Sequence, residues 1–256
     1  MKSLERAFSP VCLASPSKVV RVPLREQGNS SVSESKSIAA NLAKIRQSLP
    51  ESVRLVAVTK TLPAEAIREA YAAGVRDFGE SRIQEAIAKQ EQLSDLDDIT
   101  WHFIGGLQTN KTKQALDRMD WIHSVDRLKL VKEIDRLVRR GSPSPKLCLQ
   151  VKLREDPNKA GWSVEELLED LPKIEACDTL DVRGLMTIPP LGLDASETAD
   201  VFNRLRQLRD RLNQRSQSSL HLDELSMGMS SDYPIAVECG ATIVRLGRII
   251  FGERRP

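Results

Sequence analysis

Lys60 ends the run Leu55-Val56-Ala57-Val58-Thr59-Lys60, so an amine follows directly on an apolar segment with the character of a buried strand. Partial burial disfavours the ammonium form and lowers its pKa, and a neutral amine is what carbonyl attack and Schiff-base formation require. A solvated lysine at a strand end is the plain alternative, and this segment alone does not separate the two. The C-terminal third adds features suited to a phosphorylated ligand. In Leu225-Ser226-Met227-Gly228-Met229-Ser230-Ser231-Asp232 a strand runs into a loop of small residues and then a helix beginning near Tyr233. Backbone amides and hydroxyls converge at such a helix start and favour an anion. In Val244-Arg245-Leu246-Gly247-Arg248 a strand carries an inward arginine, and Gly247 allows close backbone approach before a short final helix. The plain alternatives are an N-capped helix and an arginine paired with a core acid.

Two further stretches are dense in unusual residues: Trp101-His102-Phe103-Ile104-Gly105-Gly106-Leu107-Gln108-Thr109-Asn110-Lys111, and Phe78-Gly79-Glu80-Ser81-Arg82. His102 could act as a general base, but a lone histidine on a strand is more often a hydrogen-bonded structural residue. Cys12, Cys148, Cys177 and Cys239 form no CxxC pair, which fits free thiols in a reducing, cytoplasmic setting. His102, His123 and His221 lack the spacing of a helical metal pair, so no metal site is expected. A net charge of +2 makes no case for nucleic acid, and no apolar run is long enough to span a membrane.

These groups need elements to position them. Short apolar runs alternate with amphipathic helical stretches from Ile38 onward, the pattern of repeated βα units on a parallel sheet. Eight strands are expected: Val53 to Val58, Val75 to Phe78, Trp101 to Ile104, Trp121 to Ser124, Leu147 to Val151, Leu180 to Met186, Glu224 to Ser226 and Ile243 to Leu246. Pro63 opens a helix closed by Gly74, Ser163 and Glu166 form a capping box, and Ala195 to Gln217 reads as a long outer helix. The α/β fold that follows is a single TIM-type (β/α)8 barrel over residues 38–256 with its site at the C-terminal strand ends, where the loops after strands seven and eight commonly grip phosphate. An open doubly wound sheet is second choice, because no GxGxxG fingerprint follows a strand. Residues 1–37 are rich in Ser, Pro and Arg and lack a structural period, so a disordered extension, a misplaced start or a targeting peptide is expected there.

With these residues in view, the chain resembles the pyridoxal phosphate homeostasis proteins, which are similar to the N-terminal barrel of alanine racemase. The resemblance runs from about Ile38 to Arg254 and rests on AVTK around Lys60, FGE with Gln84 and Glu85, WHFIGGLQTNK, the Lys159 and Gly161 pair, RGLMTIPP, LSMGMSSD and VRLGRIIFGER. It implies pyridoxal 5'-phosphate as cofactor, an internal aldimine at Lys60, phosphate held by the Ser226 to Ser230 loop and the Gly247 and Arg248 amides, and the Arg245 guanidinium near the pyridine nitrogen. The implied cofactor-binding set is Lys60, Ser81, Met186, Ser226, Gly228, Ser230, Arg245, Gly247 and Arg248, with no catalytic or metal residue. Three positions depart from the family's commonest pattern. Ser81 and Lys152 stand where Asn is usual, and Arg248 stands where a small hydroxyl residue is usual.

The family implies a carrier and regulator of cofactor and amino-acid balance, without substrate turnover. Its expected partners are pyridoxal phosphate and pyridoxal-phosphate-dependent apoenzymes, with no nucleic acid or membrane, and its expected state is a monomer. The alternatives are a racemase or decarboxylase using the same cofactor, and a cofactor-free Schiff-base aldolase. In the racemases one acid-base group is a tyrosine from a separate C-terminal domain, whereas this sequence stops at Pro256, soon after the last barrel motif, and Tyr71 and Tyr233 are its only tyrosines.

Overall fold

The structure is a computed structural model that describes residues 37–215 and 220–253. The extension expected over residues 1–37 therefore lies outside the described residues, apart from Ser37. Eight strands form: β1 (Arg54–Val58), β2 (Asp77–Glu80), β3 (Thr100–Phe103), β4 (Trp121–Val125), β5 (Lys146–Gln150), β6 (Asp181–Met186), β7 (Glu224–Ser226) and β8 (Ile243–Leu246). They pair in parallel and in chain order, and β8 pairs with β1, so the sheet is a closed barrel. The helices are α1 (Ile38–Ser48), α2 (Ala64–Ala72), α3 (Ile83–Gln92), α4 (Thr112–Arg118), α5 (Leu128–Val138), α6 (Val164–Glu175), α7 (Ala195–Asn213), α8 (Tyr233–Glu238) and α9 (Arg248–Phe251).

Local chemistry accounts for the helix ends. Pro63 is the N-cap of α2, and Gly74, at φ +87°, follows its C-terminus. Ser163 and Glu166 exchange side-chain and backbone hydrogen bonds at 3.1 and 2.7 Å to start α6. Asp194 and Glu197 do the same for α7, whose stripe Val201, Leu205, Leu208 and Leu212 is buried. This long helix stops at Asn213, short of the expected Gln217, which lies outside the described residues. The Asn213 amide turns back to bond both the carbonyl and the amide of Leu222, so a side chain replaces the next helical turn.

One element was not expected. α1 precedes the first strand, capped by the Ser37 hydroxyl, with Leu42 and Ile45 buried. It packs against α2 and α9, and the Asn41 side chain donates to the Ile250 carbonyl at 2.9 Å. The physical reason is coverage: α9, with only four residues, is too short to shield its sector of the barrel.

Strand alternation sorts the core into two populations. Ala57, Phe78, Ile122, Leu147, Leu149, Leu185, Leu225, Val244 and Leu246 face outward into the layer shared with the helices. Val56, Trp121, Cys148, Met186 and Ile243 fill the barrel interior. Full burial of an aliphatic side chain contributes about 1.5 to 3 kcal/mol, so both layers hold the mouth of the barrel rigid. Among the described residues no helix is long and apolar enough to cross a membrane.

Candidate functional site

The alternation that turns Val56 inward carries Val58 and Lys60 to the same side at the C-terminal mouth, where both border a cavity of about 460 Å³. The peptide groups on either side of Lys60 are held from α3. Lys89 donates to the Thr59 carbonyl at 2.8 Å, to Glu80 at 2.7 Å and to Glu85 at 2.6 Å, while the Thr61 amide donates to Glu85 at 2.5 Å. Thr61 has φ +65°, an unfavourable conformation for a β-branched residue, and this network compensates for it. Burial raises the Glu80 carboxyl above its ordinary range against the opposing pull of Lys89 and Thr59, and its Oε2 has no hydrogen-bond partner.

Next to β1, strand β8 points Arg245 into the same cavity. The guanidinium is 4% exposed and donates to the Ser226 hydroxyl at 2.6 Å and to the Thr187 carbonyl at 3.1 Å. Burial pushes it down to about 10, which leaves it protonated at neutral pH. Beyond Arg245 the Gly247 and Ile249 amides converge on the Ser230 hydroxyl oxygen at 3.2 and 3.3 Å. Two amides aimed at one oxygen are an anion nest, and a phosphate oxygen can take that acceptor position. Val58, Ile104, Ile188 and Met229 supply apolar walls.

Of the residues singled out from the sequence, Lys60, Ser230, Arg245, Gly247 and Arg248 border this one cavity. Arg248 reaches outward, 58% exposed, toward Glu253 at 3.8 Å, a rim pair of small energetic weight. Gly228 has φ +93° and supports the site from behind: its carbonyl accepts from the Arg245 amide at 2.9 Å. Ser226, expected at the phosphate, is fully buried beneath the cavity, its hydroxyl engaged by His123 at 2.7 Å and by Arg245. The position follows from register: Ser226 is the last inward residue of β7, one layer below the loop that ends at Ser230. Met186 likewise belongs to the interior cluster under the cavity. Ser81 is set apart, lining a separate concavity with Arg82, Gln84, Gln108 and Lys111, because β2 has already left the barrel wall there. Lys152 lines another concavity with Arg154 and Glu155, away from Lys60.

His102 takes the structural place. It is fully buried between Asp77 and His123, at 2.9 Å from each, and stacks on Trp121 with ring centroids 5.8 Å apart. His123, Asp77, Thr187 and Lys89 were not singled out from the sequence. Strand phase carried a signal for His123, two residues after the inward Trp121. Lys89 carried none, since Glu85 and Lys89 at helical i,i+4 spacing read as a solvated surface pair.

The amine, the anion nest and the protonated guanidinium suit the three ends of a phosphorylated pyridine aldehyde: carbonyl carbon, phosphate and unprotonated ring nitrogen. Sequence and structure comparisons point the same way. A family model described as alanine racemase, N-terminal domain, matches residues 34–255. The pyridoxal phosphate homeostasis protein of Synechocystis sp. is 51% identical over 212 residues, which cover 83% of this chain and 96% of that protein. The protein of the same name from Pseudomonas aeruginosa is 42% identical over 227 residues, covering 85% and 96%. Among solved structures, PipY of Synechococcus elongatus with PLP bound is 52% identical with a TM-score of 0.81, covering 84% of this chain and all of PipY. Alanine racemase of Clostridium difficile, at 14% identity and a TM-score of 0.68, shares the fold, and the chain spans 57% of its length. The chain therefore belongs to the pyridoxal phosphate homeostasis protein family.

Proposed function

We propose that this protein binds pyridoxal 5'-phosphate at the C-terminal mouth of its barrel and serves in the homeostasis of that cofactor and of amino acids, without turning over a substrate. The observation that carries the reading is the convergence of Lys60, Arg245 and the Ser230–Gly247 nest on one cavity. Bound there, the cofactor supplies an electrophilic aldehyde and an electron-withdrawing ring. Lys60 holds the aldehyde carbon through its amine. The Gly247 and Ile249 amides, with the Ser230 and Ser231 hydroxyls, hold the phosphate. Arg245, which has no acceptor atom, keeps the ring nitrogen unprotonated and so weakens the ring as an electron sink.

The absence of turnover in this reading rests on proton chemistry. Carbanion reactions need a positioned acid-base pair. Tyr71 donates to Asp98 at 2.5 Å on the outside of α2, and the Tyr233 hydroxyl lies 3.3 Å from Ser48, so neither tyrosine borders the cavity. The family naming of the relatives as homeostasis proteins supports the same reading. The protein acts as a cytoplasmic monomer in this proposal and passes the cofactor to pyridoxal-phosphate-dependent apoenzymes.

Borohydride reduction of the loaded protein followed by peptide mass spectrometry tests the site. The pyridoxyl group is expected on Lys60, and a label mainly on Lys152 or Lys111 overturns the assignment. Incubation with a panel of L- and D-amino acids, followed by chiral chromatography, tests the function. Steady racemisation, decarboxylation or transamination that disappears in Lys60→Ala would establish an enzyme instead.

A further inference from the structure

The barrel interior holds a line of polar side chains that runs to Arg245 from the far side of the barrel, and its histidines and aspartate have no part in the cofactor reading. It starts at Asp77 on β2, whose Oδ1 lies 2.9 Å from His102 Nε2 and 3.1 Å from the Arg54 guanidinium. His102 Nδ1 lies 2.9 Å from His123 Nε2, His123 Nδ1 lies 2.7 Å from the Ser226 hydroxyl, and that hydroxyl lies 2.6 Å from Arg245. His102, His123 and Ser226 are each fully buried.

The two ends dictate the direction of every bond between them. A guanidinium only donates, and an ionised carboxylate only accepts. Arg245 must donate to the Ser226 oxygen, so the Ser226 proton is free to go to His123 Nδ1. His123 then carries its proton on Nε2 and gives it to His102 Nδ1, and His102 carries its own on Nε2 and gives it to Asp77. The line is completely satisfied with both imidazoles neutral and in the same tautomer, and reversing any one bond leaves two donors or two acceptors facing each other.

We propose that Asp77, His102, His123 and Ser226 form a one-directional hydrogen-bond relay that orients the Arg245 guanidinium in the cavity, which makes Ser226 and His123 positioning residues. The inference rests on the proposal that the cavity takes pyridoxal phosphate. Both of these hydrogen bonds of Arg245 go to neutral oxygens, the Ser226 hydroxyl and the Thr187 carbonyl, while Asp232 acts on its charge through space, so the Ser226 end of the line is a side-chain contact that fixes the direction of the guanidinium. Polarised bonds in a low-dielectric interior strengthen one another, and removing a partner leaves a buried donor unsatisfied. The line is not a proton path. Arg245 at about 10 and Asp77 held below the ordinary carboxylate range place the charges where they already stand, so shifting one proton from end to end is uphill. The groups that face the two imidazoles are Arg54 from β1, Asp77 from β2, Asp120 before β4 and Arg245 from β8. Burial, reinforced at His123 by the positive charges, keeps both rings neutral.

Nitrogen-15 NMR of the imidazoles in the cofactor-free protein tests the relay without any ligand. Both His102 and His123 are expected as the Nε2–H tautomer from pH 6 to 9, and Asp77→Leu is expected to release His102 from that tautomer. A Nδ1–H tautomer at either ring in the unaltered protein, or an imidazolium at pH 7, overturns the proposal. The second arm is a pyridoxal phosphate titration of Ser226→Ala and Ser226→Thr, read by the cofactor's visible absorption band. Ser226→Ala is expected to shift that band and weaken affinity roughly tenfold, with Ser226→Thr restoring both. If both variants retain the unaltered band and affinity, Ser226 does not position Arg245. Failure of the unaltered protein to bind pyridoxal phosphate would remove the functional reading, while the NMR arm would still decide the relay.

Discussion

Gly228 shows how a single residue shapes the anion nest without touching it. Its φ of +93° disfavours any L side chain, and an added Cβ would lie 2.6 Å from the Ala236 Cβ and 3.1 Å from the Tyr233 Cα. Since its carbonyl also holds the Arg245 amide, a side chain here pushes the β7–α8 loop away from β8. Gly228→Ala is expected to cost about 2 kcal/mol or more, from the left-handed strain together with the overlap, in a urea denaturation series. Gly247 and Ser231 provide a second comparison at this scale. Both border the cavity, but a bulky residue at 247 obstructs the backbone donors, whereas Ser231→Ala removes a single hydroxyl. Cofactor titration should therefore show a larger loss for Gly247→Leu than for Ser231→Ala, and the opposite order would mean that hydroxyls dominate the grip.

At the scale of elements, the turn from β1 into α2 is built by α3. Lys89 is 5% exposed and bonds two carboxylates and a main-chain carbonyl, and Glu85 bonds the Thr61 amide, so the helix clamps the backbone on both sides of Lys60. Removing the cation leaves Glu80 and Glu85 facing each other in a buried site, a loss of about 3 to 5 kcal/mol. Lys89→Met is expected to lower urea stability by that order and to weaken cofactor retention at Lys60. Adding Glu80→Gln should recover part of the stability, because a neutral amide no longer needs the ammonium. If Lys89→Met proves neutral in both measurements, the clamp has no mechanical role. This dependence of β1 on a helix three elements later was invisible in the chain order, where Glu85 and Lys89 look like an ordinary exposed pair. The strands were legible because eight apolar runs repeat at βα spacing, and their observed ends differ from expectation by no more than two residues.

For the molecule as a whole, the buried histidines tie stability to pH. Burial holds His102 below, and His123 well below, the ordinary imidazole value of 6.5. The unfolded chain takes up those two protons as pH falls through that value, and the folded chain does not. Their contribution is thus complete above 6.5 and is lost as pH drops toward the folded values, at up to about 1.4 kcal/mol per pH unit for each ring. Asp77, also depressed, adds its loss only as pH falls below 3.8. Glu80 runs the other way: raised by burial, it favours the folded state below 4.5 and loses that contribution as pH rises through its folded value. Denaturation midpoints should hold steady from pH 8 to 7 and fall as pH drops below 6.5, with a shallower fall in His123→Asn. A flat profile there would show that the imidazoles are not buried in neutral form.

The sequence by itself determined the number and order of the strands, the barrel they make, and the positions of Lys60, Ser230, Arg245 and Gly247 at strand ends, because each depends on local periodicity and on which end of a parallel strand a residue occupies. Only the tertiary structure decided what those residues touch. Ser226 bonds His123 and Arg245, Ser81 lines a different concavity from Lys60, and α1 packs on the short α9, since barrel closure brings β2, β3, β4, β7 and β8 around one interior across separations of up to 103 residues between hydrogen-bonded side chains of this line. Long-range pairing of inward side chains is set by register and shear, which no stretch of the chain records on its own.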